Sequence, residues 1–294
     1  MNLLHCGPFR LDLSRPLVMG VVNLTPDSFS DGGRYLAPDA AIRHAERLVA
    51  EGADLLDLGA ESTRPGAAPV GQEDELARLL PVLRGVRGFG VPVSVDTFKP
   101  AVMRAVLAEG AAMINDIYGL RQPGALEAVA GGDCGLCIMH MQRDPATMQD
   151  APQYADVVTE VESFLAERLA ALRAAGVADA RVLVDPGFGF GKTVGQNVRL
   201  LHELARFARL GVPVLAGLSR KSMIGALTGK PVEDRVAGSI AAALYAVAQG
   251  AAVVRVHDVA ATVDALRVWC AAEAATASSA SNAITASTTT EKES

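Results

Sequence analysis

The stretch DLLDLGAESTRPGAAPVGQEDELARLLPVLRGVRGFGVPVSVD (54–96) decides the fold. It opens on a short apolar run, Asp54–Leu58, and closes on another, Pro92–Val95, which ends at a polar residue, Asp96. Between them Leu76, Leu79, Leu80 and Leu83 recur at helical spacing and form one core-facing stripe. A strand, a helix and a second strand in this order make the crossover unit of a parallel sheet.

The unit repeats in both directions. Further runs are Leu17–Val22, Met113–Asn115, Leu136–His140, Val182–Asp185, Val214–Leu218 and Val253–Val256. They are rich in Val, Leu and Ile and mostly apolar on both faces, as buried parallel strands are. Helical stripes separate most of them: Ile42 to Val49, Val157 to Leu169, Leu200 to Phe207, Val236 to Val247 and Val259 to Leu266, with a weaker short helix over 124–130. Eight such units predict a single-domain α/β protein, a (β/α)8 TIM barrel, over residues 1–270. An open doubly wound sheet is the competing arrangement. Residues 271–294 are low-complexity Ala, Ser and Thr, and are expected to be disordered after about one helical turn.

Composition narrows the function. The net charge of −6 argues against a nucleic-acid or anionic-membrane partner, and aromatic residues at 4% argue against stacking along an open cleft. No stretch has the length and apolarity of a membrane span, and no signal peptide is visible, so a cytoplasmic protein is expected. Cys134 and Cys137 form a C-x-x-C pair without a second pair to complete a zinc site, and are expected to be buried strand residues.

Polar residues gather where the strands end: Asn23, Asp27 and Asp31; Glu61, Thr63 and Arg64; Asp96; Asn115 and Asp116; His140; Asp185 and Lys192; Ser219 to Ser222; Arg255, His257 and Asp258. A single Asp after a strand is usually a helix cap, but caps favour Ser, Thr, Asp and Asn, and here Arg255 and Lys221 join in. All eight together fit the catalytic face of a barrel. His140 ends a strand, where lining the pocket and a purely structural place are both open, and it stays outside the catalytic set; Glu61 suits a role in loop structure, Lys192 a solvated loop position, and His44 and His202 the helix surface. The loop DPGFGFGKT is not a phosphate loop, because Pro186 stands where that motif needs Gly.

NLTPDSFSDGG, ESTRPG, VDTFK, INDI, DPGFGFGK, SRKS and RVHD appear in this order between about Pro16 and Trp269. In these segments the chain resembles the dihydropteroate synthase family, with Ala60 standing where a second Gly is common. The resemblance implies that p-aminobenzoate attacks the methylene carbon of a hydroxymethyl-dihydropterin pyrophosphate and that pyrophosphate leaves. It implies pterin contacts at Asp96, Asn115, Asp185 and Lys221, and pyrophosphate contacts at Arg255 and His257. It further implies an Mg²⁺ contact at Asn23 and an amine site built from Phe29, Thr63, Arg64, Pro65 and Ser222. Asp31 would steady cationic character at the methylene, which makes Asp31, Arg64, Lys221 and Arg255 the catalytic set. A homodimer is also implied. Three rivals are a methyltetrahydrofolate-binding methyl-transfer domain, a barrel glycosidase using Asp96 and Asp185, and a pterin-binding paralogue without catalysis.

Overall fold

The computed structural model describes residues 2–25, 33–63 and 67–289, with backbone alone for 33–37 and 276–289. Phe29, Asp31, Arg64 and Pro65 lie outside the described residues.

Eight parallel strands close into a barrel: β3 (Leu17–Asn23), β4 (Leu55–Gly59), β5 (Val93–Asp96), β6 (Met113–Asp116), β7 (Gly135–Met139), β8 (Val182–Asp185), β9 (Val214–Ala216) and β10 (Ala251–Val256). Each pairs with the next in chain order, and β10 returns to β3 with Val253 opposite Leu17. The barrel expectation holds, and the open sheet is excluded by that closing pair.

Helices follow the strands: α1 (Gly33–Ala50), α2 (Gln72–Val86), α3 (Pro100–Ala108), α4 (Ala125–Ala130), α5 (Val157–Ala174), α6 (Val194–His202), α7 (Ala205–Ala208), α8 (Ser222–Thr228), α9 (Val236–Ala248) and α10 (Val259–Thr289). Their starts follow from local chemistry. Glu73, Asp74 and Glu75 occupy the first turn of α2, where the helix dipole favours negative charge. Thr193 and Gln196 form a reciprocal capping box at α6. The stripe of α3, which the sequence reading omits although its apolar residues are helically spaced, buries Val102, Met103 and Val106.

Strand alternation sorts the core into two shells. Leu56 and Leu58 belong to the large outer cluster between strands and helices. Leu55, from the same strand, joins Leu17, Met19, Met113, Cys137, Leu183, Leu215 and Val253 inside the barrel. Cys134 and Cys137 are both buried and unpaired, as expected, though Cys134 stands just before β7 and not in it.

An N-terminal hairpin is absent from the sequence reading. β1 (Leu3–Cys6) and β2 (Phe9–Asp12) pair antiparallel, and fully buried Leu4 and Cys6 join the inner cluster. Cys6 lies against the first residue of β7: a Cβ on Gly135 would fall 2.6 Å from Cys6 Sγ. The hairpin therefore stoppers the end of the barrel where the strands begin. The backbone of α10 continues to Thr289, well beyond Ala271. Alanine favours helix strongly, so low complexity is a weaker argument against helix there than against a packed core.

Candidate active site

The opposite end, where the strands finish, holds the polar residues. Inward positions of β4 are Leu55, Asp57 and Gly59; those of β5 are Ser94 and Asp96; that of β6 is Asn115. Asn23, Gly59, Asp96 and Asn115 stand beside one another through successive register pairs.

Arg255 of β10 crosses to meet them. Its Nε donates to Asp57 Oδ2 at 2.6 Å and its Nη2 to Asp96 Oδ2 at 3.2 Å. Asn115 Nδ2 donates to the same Asp57 oxygen at 3.2 Å. Burial drives the Asp96 carboxyl up to about 7; Asp57 and Asp116 push the same way, while Arg255 and Lys221 oppose them. Burial raises Asp185 as well, against the Gly187 N–H, Lys221, Lys192 and Arg255. Asp185 Oδ1 accepts from Gly187 N at 2.7 Å.

Two glycines open space in this layer. A Cβ at Gly59 would lie 3.8 Å from Asp96 Cβ and 3.9 Å from Asn23 Oδ1, and one at Gly217 would lie 3.7 Å from Asp185 Oδ2. The loop after β8 forms one wall. Lys221 Nζ sits 4.3 Å from the centre of the Phe190 ring, a cation–π contact beside Asp185. Ser222 begins α8, as expected, and is exposed.

Lys192 corrects the sequence reading. It is 3% exposed, and its Nζ donates to Gly187 O at 2.8 Å and Phe190 O at 3.0 Å, with His140 Nδ1 at 3.0 Å. The chain folds back over the ammonium because Gly187 adopts φ 72°, and a Cβ there would lie 1.9 Å from His140 O. His140 is buried with it, and burial followed by the Lys192 charge drives its imidazole down to about 2. It supports the loop as a neutral ring.

Beside the barrel mouth a pocket of about 400 Å³ is lined by Asn23, Arg43, His44, Arg47, Arg220 and His257 among others, with no carboxylate among the described residues. Burial and the neighbouring Arg255 and Arg220 lower the His257 imidazole to about 3, so it is neutral near pH 7. Its Nδ1 lies 3.0 Å from Ser219 Oγ. Arg220, at φ 56°, is clamped by Asp258 through two bonds of 3.0 and 2.5 Å. Residues 19–257 match the pterin binding enzyme family. The chain belongs to that family.

Three further likenesses place it among the family's dihydropteroate synthases. The chain is 52% identical over 272 residues to the dihydropteroate synthase of Neisseria meningitidis serogroup B, covering 90% of this chain and 95% of that one. It is 58% identical to the Burkholderia cenocepacia dihydropteroate synthase solved with 7,8-dihydropteroate, with a TM-score of 0.87, covering 94% and 98%. The Xanthomonas albilineans dihydropteroate synthase solved with 4-aminobenzoic acid is 57% identical, with a TM-score of 0.88, covering 93% and 98%.

The site of this family member brings together Asp96, Asn115 and Arg255, sets Asp185 near Lys221, and places Asn23 with His257 in the basic pocket. Thr63 is described, but no hydrogen bond ties it to that cluster among the described residues. Glu61 acts on its own loop: it accepts from Val70 N at 3.1 Å and pairs with Lys99, which also reaches Glu75 at 2.5 Å. Asp116 serves a turn, accepting from Tyr118 N and Leu120 N. Ala60 is absent from the positive-φ residues among those described, so its methyl group costs nothing in backbone strain. Asp57 is a site residue that the strand-end pattern does not include. A charged residue inside LLDLG was the available signal, since an ionised group enters a barrel interior only with partners.

Proposed function

We propose that the protein is a dihydropteroate synthase, joining 6-hydroxymethyl-7,8-dihydropterin pyrophosphate to p-aminobenzoate with release of pyrophosphate. The observation that carries this is Arg255, held between Asp57 and Asp96 in a carboxylate-lined interior and near enough to act on His257, which lines the adjacent basic pocket. The ligands of the two solved relatives, 4-aminobenzoic acid and 7,8-dihydropteroate, support the same pair of substrates.

A pterin edge offers an amino group beside a ring N–H, and a carboxylate accepts both. Asp185 has that role, with Asp96 and Asn115 completing the ring and Lys221 donating to its carbonyl side. The amine nitrogen forms the new bond to the methylene carbon as the bond to the pyrophosphate oxygen breaks, and the nitrogen then gives up a proton. Arg255, and His257 as a neutral donor, meet the charge that develops on the leaving group. An arylamine needs no deprotonation before it attacks, so no strong general base is required. Lys221 over Phe190, and Ser222 at the start of α8, face the amine substrate; Phe29, Asp31, Thr63, Arg64 and Pro65 complete this reading.

Asn23 fits an Mg²⁺ contact in donor chemistry, because an amide oxygen is a hard neutral ligand. No group of three or more His, Cys, Asp or Glu suited to a metal occurs among the described residues, which fits an ion held largely by water and substrate phosphate. When bound, the ion would neutralise charge on the departing pyrophosphate.

A methyltetrahydrofolate-binding domain has no use for the basic pocket, which favours the synthase. Among the described residues no helix is long and apolar enough to cross a membrane. A homodimer in the cytoplasm completes the proposal, and light scattering on the purified chain tests the dimer. The deciding experiment is pyrophosphate release: it should require p-aminobenzoate, the pterin pyrophosphate and Mg²⁺. Release that ignores p-aminobenzoate would overturn the assignment.

A further inference from the structure

Asp57 is the buried charge that the proposed chemistry leaves without a task. It is fully buried in β4 and points inward between Leu55 and Gly59. All of its observed bonding passes through Oδ2, which accepts from Arg255 Nε at 2.6 Å and Asn115 Nδ2 at 3.2 Å. Its Oδ1 has no partner among the described residues, and neither does the hydroxyl of Ser94, its register neighbour on β5.

A carboxylate only accepts. Asn115 must therefore turn its NH₂ end toward Asp57, which makes the other end of the amide an acceptor. Without that partner the amide could present either end, and the reversed orientation would set N–H groups against the donors of a pterin edge. The same oxygen fixes Arg255 at Nε, while Asp96 takes one Nη2 hydrogen. Both Nη1 hydrogens are left out of these two bonds.

We infer that Asp57 is a positioning residue that sets the hydrogen-bond polarity of the pterin floor, holding Asn115 as an acceptor and Arg255 in register with it. The inference rests on the reading of Asn115 as a pterin contact and of Arg255 as a contact to the pyrophosphate of the same substrate. It gives Asp57 a part in choosing ligands that it does not touch.

The test compares Asp57→Asn and Asp57→Leu with Asn115→Ala, by steady-state KM for each substrate and by thermal melting. An asparagine can place its Oδ1 where Asp57 Oδ2 sits, keep both bonds, and put its NH₂ at the unpartnered position beside Ser94. Asp57→Leu should raise the KM for the pterin substrate about tenfold or more, since it removes a charged acceptor, and leave the KM for p-aminobenzoate within about twofold. Asp57→Asn should recover pterin KM to within about threefold of wild type. If Asp57→Leu does not melt cooperatively, Asp57→Ser, too short to reach either partner, is read in its place. The inference falls if Asn115→Ala loses pterin affinity while Asp57→Leu keeps it, if Asp57→Asn is as impaired as Asp57→Leu, or if both substrates' KM values rise together. An Asn115→Ala enzyme with unchanged pterin KM removes the underlying contact, and the inference with it.

Discussion

Lys192 Nζ lies 3.0 Å from His140 Nδ1 and donates to the carbonyl oxygens of Gly187 and Phe190, joining the end of β7 to the loop after β8. That loop carries the Phe190 ring against which Lys221 rests. Lys192→Met would leave these buried carbonyls without a donor, and each such loss costs about 1–3 kcal/mol. Chemical denaturation should show a loss of about 2–4 kcal/mol, and the KM for p-aminobenzoate should rise more than that for the pterin. A loss near zero would mean that water replaces the ammonium.

The same lysine gives a pH signature. Burial lowers it from 10.5 to about 7, with Asp185 drawing it up and Lys221 pushing it further down. Between those values the unfolded chain holds more protons at this site than the folded one, so stability rises with pH. Its contribution is complete above the unfolded value and is lost as pH falls through about 7. The stability of wild type relative to Lys192→Met should therefore increase between pH 7 and 10, as denaturation at several pH values would reveal.

Asp96 titrates near pH 7 because burial, Asp57 and Asp116 outweigh Arg255 and Lys221. Protonation would remove the negative charge that Arg255 Nη2 pairs with. For the pterin substrate, kcat/KM should fall on the acid side with a midpoint near 7, a limb that reports the free enzyme. Asp96→Asn should lower kcat/KM and abolish the limb, whereas Lys192→Met should retain it. A limb that survives in Asp96→Asn assigns the titration to another group.

Arg255→Met would leave Asp57 and Asp96 facing each other without their shared cation. Breaking a buried pair from one side costs about 3–5 kcal/mol, and urea denaturation should find that range. Activity should fall by about a hundredfold or more, because this is also the charge placed to meet the leaving group. Arg255→Lys should restore part of the stability but little of the rate, since an ammonium cannot reach both carboxylates with fork geometry.

Leu4→Ala should cost about 2–5 kcal/mol, since Leu4 is fully buried where the hairpin meets the inner cluster. It lies at the end of the barrel away from Arg255, so kcat at a temperature below the transition should stay within about twofold. A thermal melt and a rate measurement on one preparation separate the two effects.

The barrel itself was legible because each strand run is apolar on both faces and each ends on a polar group. Asp185, Asn115 and Arg255 stood out for the same reason. Asp57 and Lys192 did not, and the causes differ. Asp57 sits mid-strand, where attention to strand ends passes over it, although its charge in an apolar run was visible. Lys192 follows a glycine-rich loop that looks solvated; its burial depends on the chain folding back at Gly187 over a ring of carbonyls, which no local pattern encodes. The hairpin escaped because two four-residue strands of mixed polarity acquire a buried face only when the barrel supplies one.

That hairpin has a consequence for traffic. With Leu4 and Cys6 corking the lower end, the described residues leave the strand-end face as the way in. A molecule seated on Asp185 and Asn115 occupies the back of a cul-de-sac, and whatever binds nearer the door stands in its way. Occupants must queue: the deeper guest enters before the shallower one, and a product that spans both positions leaves with its deep end last.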